Sequence, residues 1–492
     1  MKAMPARDVF AATPMLSSSV RPIKPTCVSD GDRQSPTRTN PEACRSVGNS
    51  VLGRLRSRST DGSRAILSGM LLVGFFLLIT KVLAAAKEIL VAARFGVSDI
   101  VDAYQFSFAL TQWPVAFFGA AIVSTVVPLI IRQGTNAQVN DDLVKRFFGY
   151  VLMLGCIVGI FVTVGIPAII RAGFFSFEQT QQDRIISMVI VLGLAVPASL
   201  ASRFFAGCAI AARTHLNTLF ECLPAFMIMA SLFSFADEKA LVFGGFVGLL
   251  AQCALLGFSV SRIGRLPPPQ FVWPGRAEAE VLRGCGVLVA AHFLLGTVDI
   301  VDQFAASTLN SGSIATLGYA NRVLALVLGL VSTTICRSMF PVLTTISETG
   351  NPKNMRQVLV WIGCLVIATV VIATGIAANA SEIVEFIYER GAFMPEHSER
   401  VAAALRWGAW RVPPYVLTMV LVYAITSQRR TRPLIALGCV ICISKVAAAA
   451  VLTNYFGLNG LIASSTFVYV LACVFGLWVY AGNALSIASS RG

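Results

Sequence analysis

Past Arg64 the chain alternates long apolar runs with short polar breaks. Each run is about 20 residues, the length an α-helix needs to cross a hydrocarbon layer, and none reads as the alternating strands of a membrane barrel. The pattern predicts helices near 66–86, 101–131, 147–170, 185–211, 217–235, 240–260, 282–308, 313–345, 357–378, 403–427, 433–453 and 459–482. Backbone N–H and C=O groups out of water must pair inside their own segment, so a helical run in lipid is the only economical solution. The expected fold is all-α, a polytopic bundle of about twelve transmembrane helices.

The longest polar, Pro-rich interruption, "LPPPQFVWPGRAEAEVLR" (Leu266 to Arg283), splits the runs six and six. It predicts an N-terminal half over 64–261, a cytoplasmic linker over 262–281 and a C-terminal half over 282–492, arranged around a central cavity as in transporters built from two comparable halves. No residue-level repeat relates the halves. Pro114, Pro128, Pro167, Pro197, Pro224 and Pro341 fall in or at the ends of runs, where lipid-embedded helices kink. From Met1 to Ser63 the chain is rich in Ser, Pro and Arg and has no apolar periodicity, which predicts a disordered basic tail; no secretory-signal pattern is present.

Composition agrees with a membrane protein: of 492 residues, 56% are hydrophobic and 13% charged, and the mean hydropathy is +0.73. The formal charge of +14 does not point to nucleic acid, because the bases lie between apolar runs and in the tail rather than along one soluble face. They gather on alternate breaks, around Arg132, Lys145 and Arg146, at Arg213, from Arg262 to Arg283, at Lys353 and Arg356, and from Arg429 to Arg432. The other breaks hold Asp237, Glu238 and the acidic stretch "SEIVEFIYERGAFMPEHSER". The positive-inside rule then puts both termini in the cytoplasm. The 12 cysteines fall mostly one at a time in apolar runs and the 3 histidines are scattered, so no metal, cofactor or disulfide is expected. No HExxH, GxSxG or phosphate-binding glycine loop appears, and no enzyme is expected.

A charge inside a span costs about 2.5 to 3.5 kcal/mol on the lenient insertion scale, so each one retained needs a cavity or a partner. The candidates are Lys81, Lys87, Glu88, Arg94, Asp102, Arg203, Asp299, Asp302, Arg322, Arg337 and Lys445. Arg203 and Arg337 fall near span ends, within reach of headgroups. Lys81, Lys87 and Arg322 lie deeper, and several cations in one cavity suit a phosphate or pyrophosphate. Asp299 and Asp302, three residues apart on one helix face, read equally as counter-ions, as half of a structural salt bridge, or as a cation or proton site coupled to a gradient.

Three stretches carry a resemblance: "KVLAAAKEILVAARFGVSDIVDAYQFSF" (Lys81 to Phe108), "VDQFAASTLNSGSIATLGYANRVLALVLGL" (Val301 to Leu330) and "EFIYERGAFMPEHSERVAAALR" (Glu385 to Arg406). In this order they resemble the MurJ/MviN family of lipid II flippases, in the MOP superfamily that also holds the MATE drug exporters. The resemblance implies a V-shaped bundle whose electropositive cavity grips the pyrophosphate and sugar of an undecaprenyl-linked precursor and turns it outward by alternating access. It assigns substrate binding to Lys81, Lys87 and Arg322, and charge balance or ion coupling to Asp102, Asp299 and Asp302. It also implies a monomer in the bacterial inner membrane, with lipid II and bilayer lipid as partners and a coupling ion or the membrane potential as driving force.

The chain departs from the family at "TQWPVAFFGAAIV" (Thr111 to Val123), where a helix-two arginine pair and an "EGA" are common, in having lysine for arginine twice, in Asn321, where Asp often stands, and in ending without two further helices. Another polyprenyl-linked glycan, or an amphipathic cation as in the MATE exporters, is the alternative cargo. A scaffold acting through its basic tail is the alternative without transport.

Overall fold

The computed structural model describes residues 74–131, 137–175, 177–212, 214, 216–235, 237–262, 268–329, 331, 352–427 and 432–489. The chain divides into Met1–Phe75, of which only the last two residues are described, and a helical body, Phe76–Gly492. Expectations placed on the Met1–Ser63 tail and on Arg132, Arg213, Arg265, Arg337, Pro341, Arg429 and Arg430 fall outside the described residues.

Helices are the only regular elements among the described residues. The first are α1 (74–95), α2 (Asp99–Ile131) and α3 (Ala137–Ile160). Helix α3 continues through a π turn, Phe161–Gly165, into Ile166–Arg171. There Pro167 brings no N–H and crowds the preceding turn, which widens in response. Next come α4 (Gln179–Gly193), α5 (Val196–Ala211), α6 (Leu216–Phe220), α7 (Leu223–Ser234) and α8 (Lys239–Arg262). After an extended linker at 268–275 follow α9 (Arg276–Ala306), α10 (Ser313–Gly329), α11 (Pro352–Ala378), α12 (Ala380–Tyr388), α13 (Pro395–Ala409) and α14 (Val412–Ser427). The final helical stretch, Arg432–Ser489, is broken by Gly457 at φ 56°, ψ −136° into two arms, α15 and α16.

Seven helices are long and apolar enough to cross a membrane by themselves, and the pair α4 and α5, bent by 43°, makes eight. Hydropathy alone predicted twelve, and the difference has physical causes. A 47-residue apolar stretch counts once, yet helix geometry makes it about 70 Å long, twice a bilayer core, and Gly457 folds it back. The tenth run is interrupted at Trp410 and Arg411, between α13 and α14. Helix α1 also runs to 95 rather than ending at 86, because its charges are paired: Lys87 with Glu88 at 2.7 Å, and Arg94 with the Leu232 carbonyl, to which it donates.

The helices before the linker pack among themselves, α2 on α4 and α5, α5 on α3 and α8, and α7 on α8. Those after it do likewise, α9 and α14 on the Arg432–Ser489 arms and α11 on α13 and α14, while α2 and α9 meet across the divide. The linker is strapped to α3: Gln270 N donates to Lys145 O at 3.2 Å, the Tyr150 hydroxyl donates to Val272 O at 2.9 Å, and Arg146 pairs with Glu278 at 2.5 Å. That pairing lies in the first turn of α9, so this helix begins at Arg276 and not near 282.

At the opposite end the two groups of helices are pinned together, and all three stretches that carry the family resemblance meet there. Asp102 on α2 accepts backbone N–H bonds from Gly312 at 2.7 Å and Ala315 at 2.6 Å, at the start of α10. Ser311 donates to Asp99. Tyr319 donates to Gly96 O at 3.0 Å, Tyr388 to Tyr319 O at 3.3 Å, and Ala392 N to Ala93 O at 2.7 Å. The turns that allow this approach hold Gly96, Gly312 and Gly391 at positive φ.

Within the first group, small residues bring helices close, as lipid-embedded packing requires. A Cβ added to Gly248 on α8 would lie 2.5 Å from the Pro224 Cα on α7, whereas one on Gly284 meets nothing within 4 Å. Gly248→Leu is therefore expected to destabilise the bundle by about 1–3 kcal/mol, seen as a lower unfolding midpoint in detergent. Gly284→Leu should melt like the wild type; equal melting of both variants would contradict this packing.

Candidate functional site

Beneath the pinned end lies a cavity of about 600 Å³. Its lining runs from Gly318 to Gly329 along α10 and from Arg411 to Val422 along α14, in both cases away from the pinned end; α2, α9, α15 and α16 complete the wall.

Arg322 projects from α10 into this space, with its side chain about half exposed. Its Nε donates to Glu88 Oε1 at 3.0 Å, and the same oxygen pairs with Lys87 Nζ at 2.7 Å. The Lys87 ammonium also lies 5.7 Å from the centre of the Tyr104 ring, which lines the cavity. Glu88 and Lys87 are buried in α1, so one carboxylate from the first group of helices holds an arginine from the second. That leaves the guanidinium fork open on its cavity side, the geometry for bidentate contact with a phosphate.

Asp299 and Arg411 face the same cavity, with Tyr415 and Tyr469 beside them. Arg411 keeps a buried Nε without a hydrogen-bond partner. With all groups ionised, Lys87, Arg322 and Arg411 outweigh Glu88 and Asp299 by one positive charge.

The remaining sequence candidates sit elsewhere, for reasons of helical phase. Lys81 is six residues before Lys87, about 120° round the helix. It is exposed and outside the cavity lining. There it shares with Arg203 the electrostatic neighbourhood of Glu221, next to the bond from Thr80 Oγ1 to Thr218 O at 3.1 Å. Asp302 is rotated about 60° from Asp299 and leaves the cavity wall altogether. It is 3% exposed and pairs at 2.6 Å with Lys445, which is fully buried. Lys445 spends its other protons on Ser464 at 2.8 Å and Ser465 at 2.7 Å, and Ser465 donates to the second Asp302 oxygen at 3.2 Å. The expectation that Asp299 and Asp302 share a cavity face is thus corrected. Asp102, expected beside the lysines as a counter-charge, uses both oxygens on the first turn of α10 instead.

Arg411 was legible only as a base inside the 403–427 run, and nothing in its neighbours "WRVPPY" indicated that a helix break would aim it inward. Gln303, Tyr415 and Tyr469 carried no signal. Among the described residues no group of three or more His, Cys, Asp or Glu side chains is gathered around a point that would hold a metal.

A family model described as lipid II flippase MurJ matches residues 91–492. A probable lipid II flippase MurJ of Vibrio cholerae serotype O1 is 21% identical over 429 residues, covering 82% of this chain and 81% of its own. One from Buchnera aphidicola subsp. Baizongia pistaciae is 22% identical over 386 residues, 75% and 74%. Among solved structures, a lipid II flippase MurJ in an inward closed conformation superposes with a TM-score of 0.71 at 16% identity, over 84% of this chain and 87% of that one. An inward-facing multidrug resistance MATE transporter of the MOP superfamily reaches 0.68 at 12% identity, over 84% and 96%. The fold is shared with both, and the match over 91–492 decides between them: this chain belongs to the MurJ family of lipid II flippases.

Proposed function

We propose that the protein carries lipid II, the undecaprenyl-pyrophosphate-linked peptidoglycan precursor, from the cytoplasmic to the periplasmic leaflet of the bacterial inner membrane. The observation that carries this reading is Arg322, held by Glu88 next to Lys87 and open to a cavity with surplus positive charge. A pyrophosphate entering the cavity replaces Glu88 as the partner of Arg322, with Arg411 across the cavity as a second guanidinium. Such charge-assisted bonds gain strength where water is sparse. An amphipathic cation of the kind a drug exporter moves would meet two arginines there, which argues against that cargo.

Transport follows from alternating access. With the Gly96 end pinned, the cavity takes the headgroup from the cytoplasmic side, the side on which the basic breaks and both termini lie under the positive-inside rule. Separating the Asp102, Tyr319 and Ala392 contacts then opens it to the periplasm. The protein works as a monomer. Asp299 is the coupling carboxylate, because it alone of the two aspartates on α9 faces the cavity. Asp302 has a fixed internal cation and takes no ion from solution.

In a strain depleted of its own lipid II flippase, the wild-type chain is expected to restore lipid II at the outer face. Arg322→Ala, at equal membrane abundance, is expected to lower that signal about tenfold or more, the loss of one charged hydrogen bond. No rescue by a well-inserted wild type, or rescue undiminished in the variant, would overturn the reading.

The two aspartates give a second test. Asp302→Asn strands the Lys445 charge in the core and should destabilise the fold by about 3–5 kcal/mol, with Asp302→Asn/Lys445→Met recovering most of it. Asp299→Asn should melt like the wild type but lose the dependence of flipping on an imposed gradient. Gradient-dependent flipping retained in Asp299→Asn would remove it as the coupling group.

A further inference from the structure

The cavity does not end at Asp299. A side chamber of about 470 Å³ continues from it between α2 and α9, sharing Ala109, Leu295, Asp299 and Gln303 with the main space. On α2 its wall follows positions 109, 112, 113, 116 and 117, one helical stripe; on α9 it follows 303, 299, 296, 295 and 292. From Gln303 to His292 this is about 16 Å of helix.

The chemistry changes along that length. The charged groups stay in the main cavity, and beyond Asp299 the chamber wall carries none. The Trp113 ring is held in place by its Nε1, which donates to Gly296 O at 3.2 Å across the α2–α9 seam. It is backed by Phe117 at 5.3 Å and Phe293 at 5.2 Å. Gln112 and Gln303 face the same space, and each leaves one buried amide atom unpaired, Nε2 of the first and Oε1 of the second. A buried amide atom without a partner costs about 1–3 kcal/mol, so two of them on one chamber wall mark a place where an incoming group supplies the bonds.

An aromatic face with a neutral donor and a neutral acceptor beside it suits a pyranose ring. The ring lays its C–H face on the indole and turns hydroxyl and acetamido groups to the amides; a phosphate or a carboxylate would find no charge to meet it. We propose that this chamber is the sugar subsite, taking the acetamido-sugar that is bonded directly to the pyrophosphate. The inference rests on the reading of the Arg322 cavity as the pyrophosphate site, and the junction at Asp299 puts the two subsites end to end.

The test compares two probes on the full chain in nanodiscs: undecaprenyl pyrophosphate, and the same lipid carrying an N-acetylhexosamine disaccharide without peptide. The wild type is expected to bind the glycosylated lipid about tenfold more tightly. Trp113→Ala and Gln112→Leu/Gln303→Leu should bring that ratio close to one, while Trp113→Phe, which keeps a flat ring, retains most of it. Arg322→Ala should weaken both lipids equally. A wild-type ratio near one with Arg322→Ala still weakening both, or a preference that survives the chamber substitutions, would overturn the sugar subsite and leave the pyrophosphate site standing. Arg322→Ala weakening neither lipid would overturn both.

Discussion

The Asp102 carboxylate is the contact on which the rest of the arrangement depends. It belongs to α2 but caps α10, accepting the Gly312 and Ala315 N–H groups at 2.7 and 2.6 Å. A helix start leaves its first N–H groups without partners and carries partial positive charge, and in lipid no water is at hand to answer them. A helix usually supplies its own cap. Here Ser311, the local candidate, turns to Asp99, and the first turn of α10 is completed from the other group of helices. Opening that end therefore uncaps a helix as well as parting two surfaces, which is why the end behaves as a latch with two states.

The same constraint sorts the buried charges. Lys445 and Asp302 satisfy each other with two serines, far from any opening. Arg146 and Glu278 tie the start of α9 to α3 at the linker end. Glu88 holds Lys87 and Arg322 but leaves one face of the guanidinium free. Of these three clusters only the last borders the cavity, so it alone can exchange an internal partner for a ligand. A charge in a span is an ambiguous sign of function, and its hydrogen-bond inventory decides the matter.

Much of this was legible in the sequence, and the misses share a cause. Apolar runs, the linker break and the list of in-span charges follow from composition along the chain, which hydropathy reports directly. Rotational phase does not, because a span buried on several sides has no clear polar face from which to count. Lys81 and Lys87 therefore looked like a pair though they stand about 120° apart, and Asp299 and Asp302 looked like a site though only the first reaches the cavity. Partners distant in sequence were hidden as well: nothing near Asp102 announces Gly312, and nothing near Lys445 announces Ser464 and Ser465. The stretch "TQWPVAFFGAAIV" read as a loss of charge; in place it supplies the Trp113 and Gln112 wall of the side chamber.

Side-specific labelling of a single cysteine at Ala325, a cavity position on α10, in an otherwise cysteine-free chain tests this account most directly. An impermeant maleimide should reach it from the cytoplasmic side and not from the periplasm, and Asp102→Ala should admit the reagent from the periplasm. Labelling of the parent from the periplasmic side, or an Asp102→Ala variant as closed as its parent, would contradict the latch.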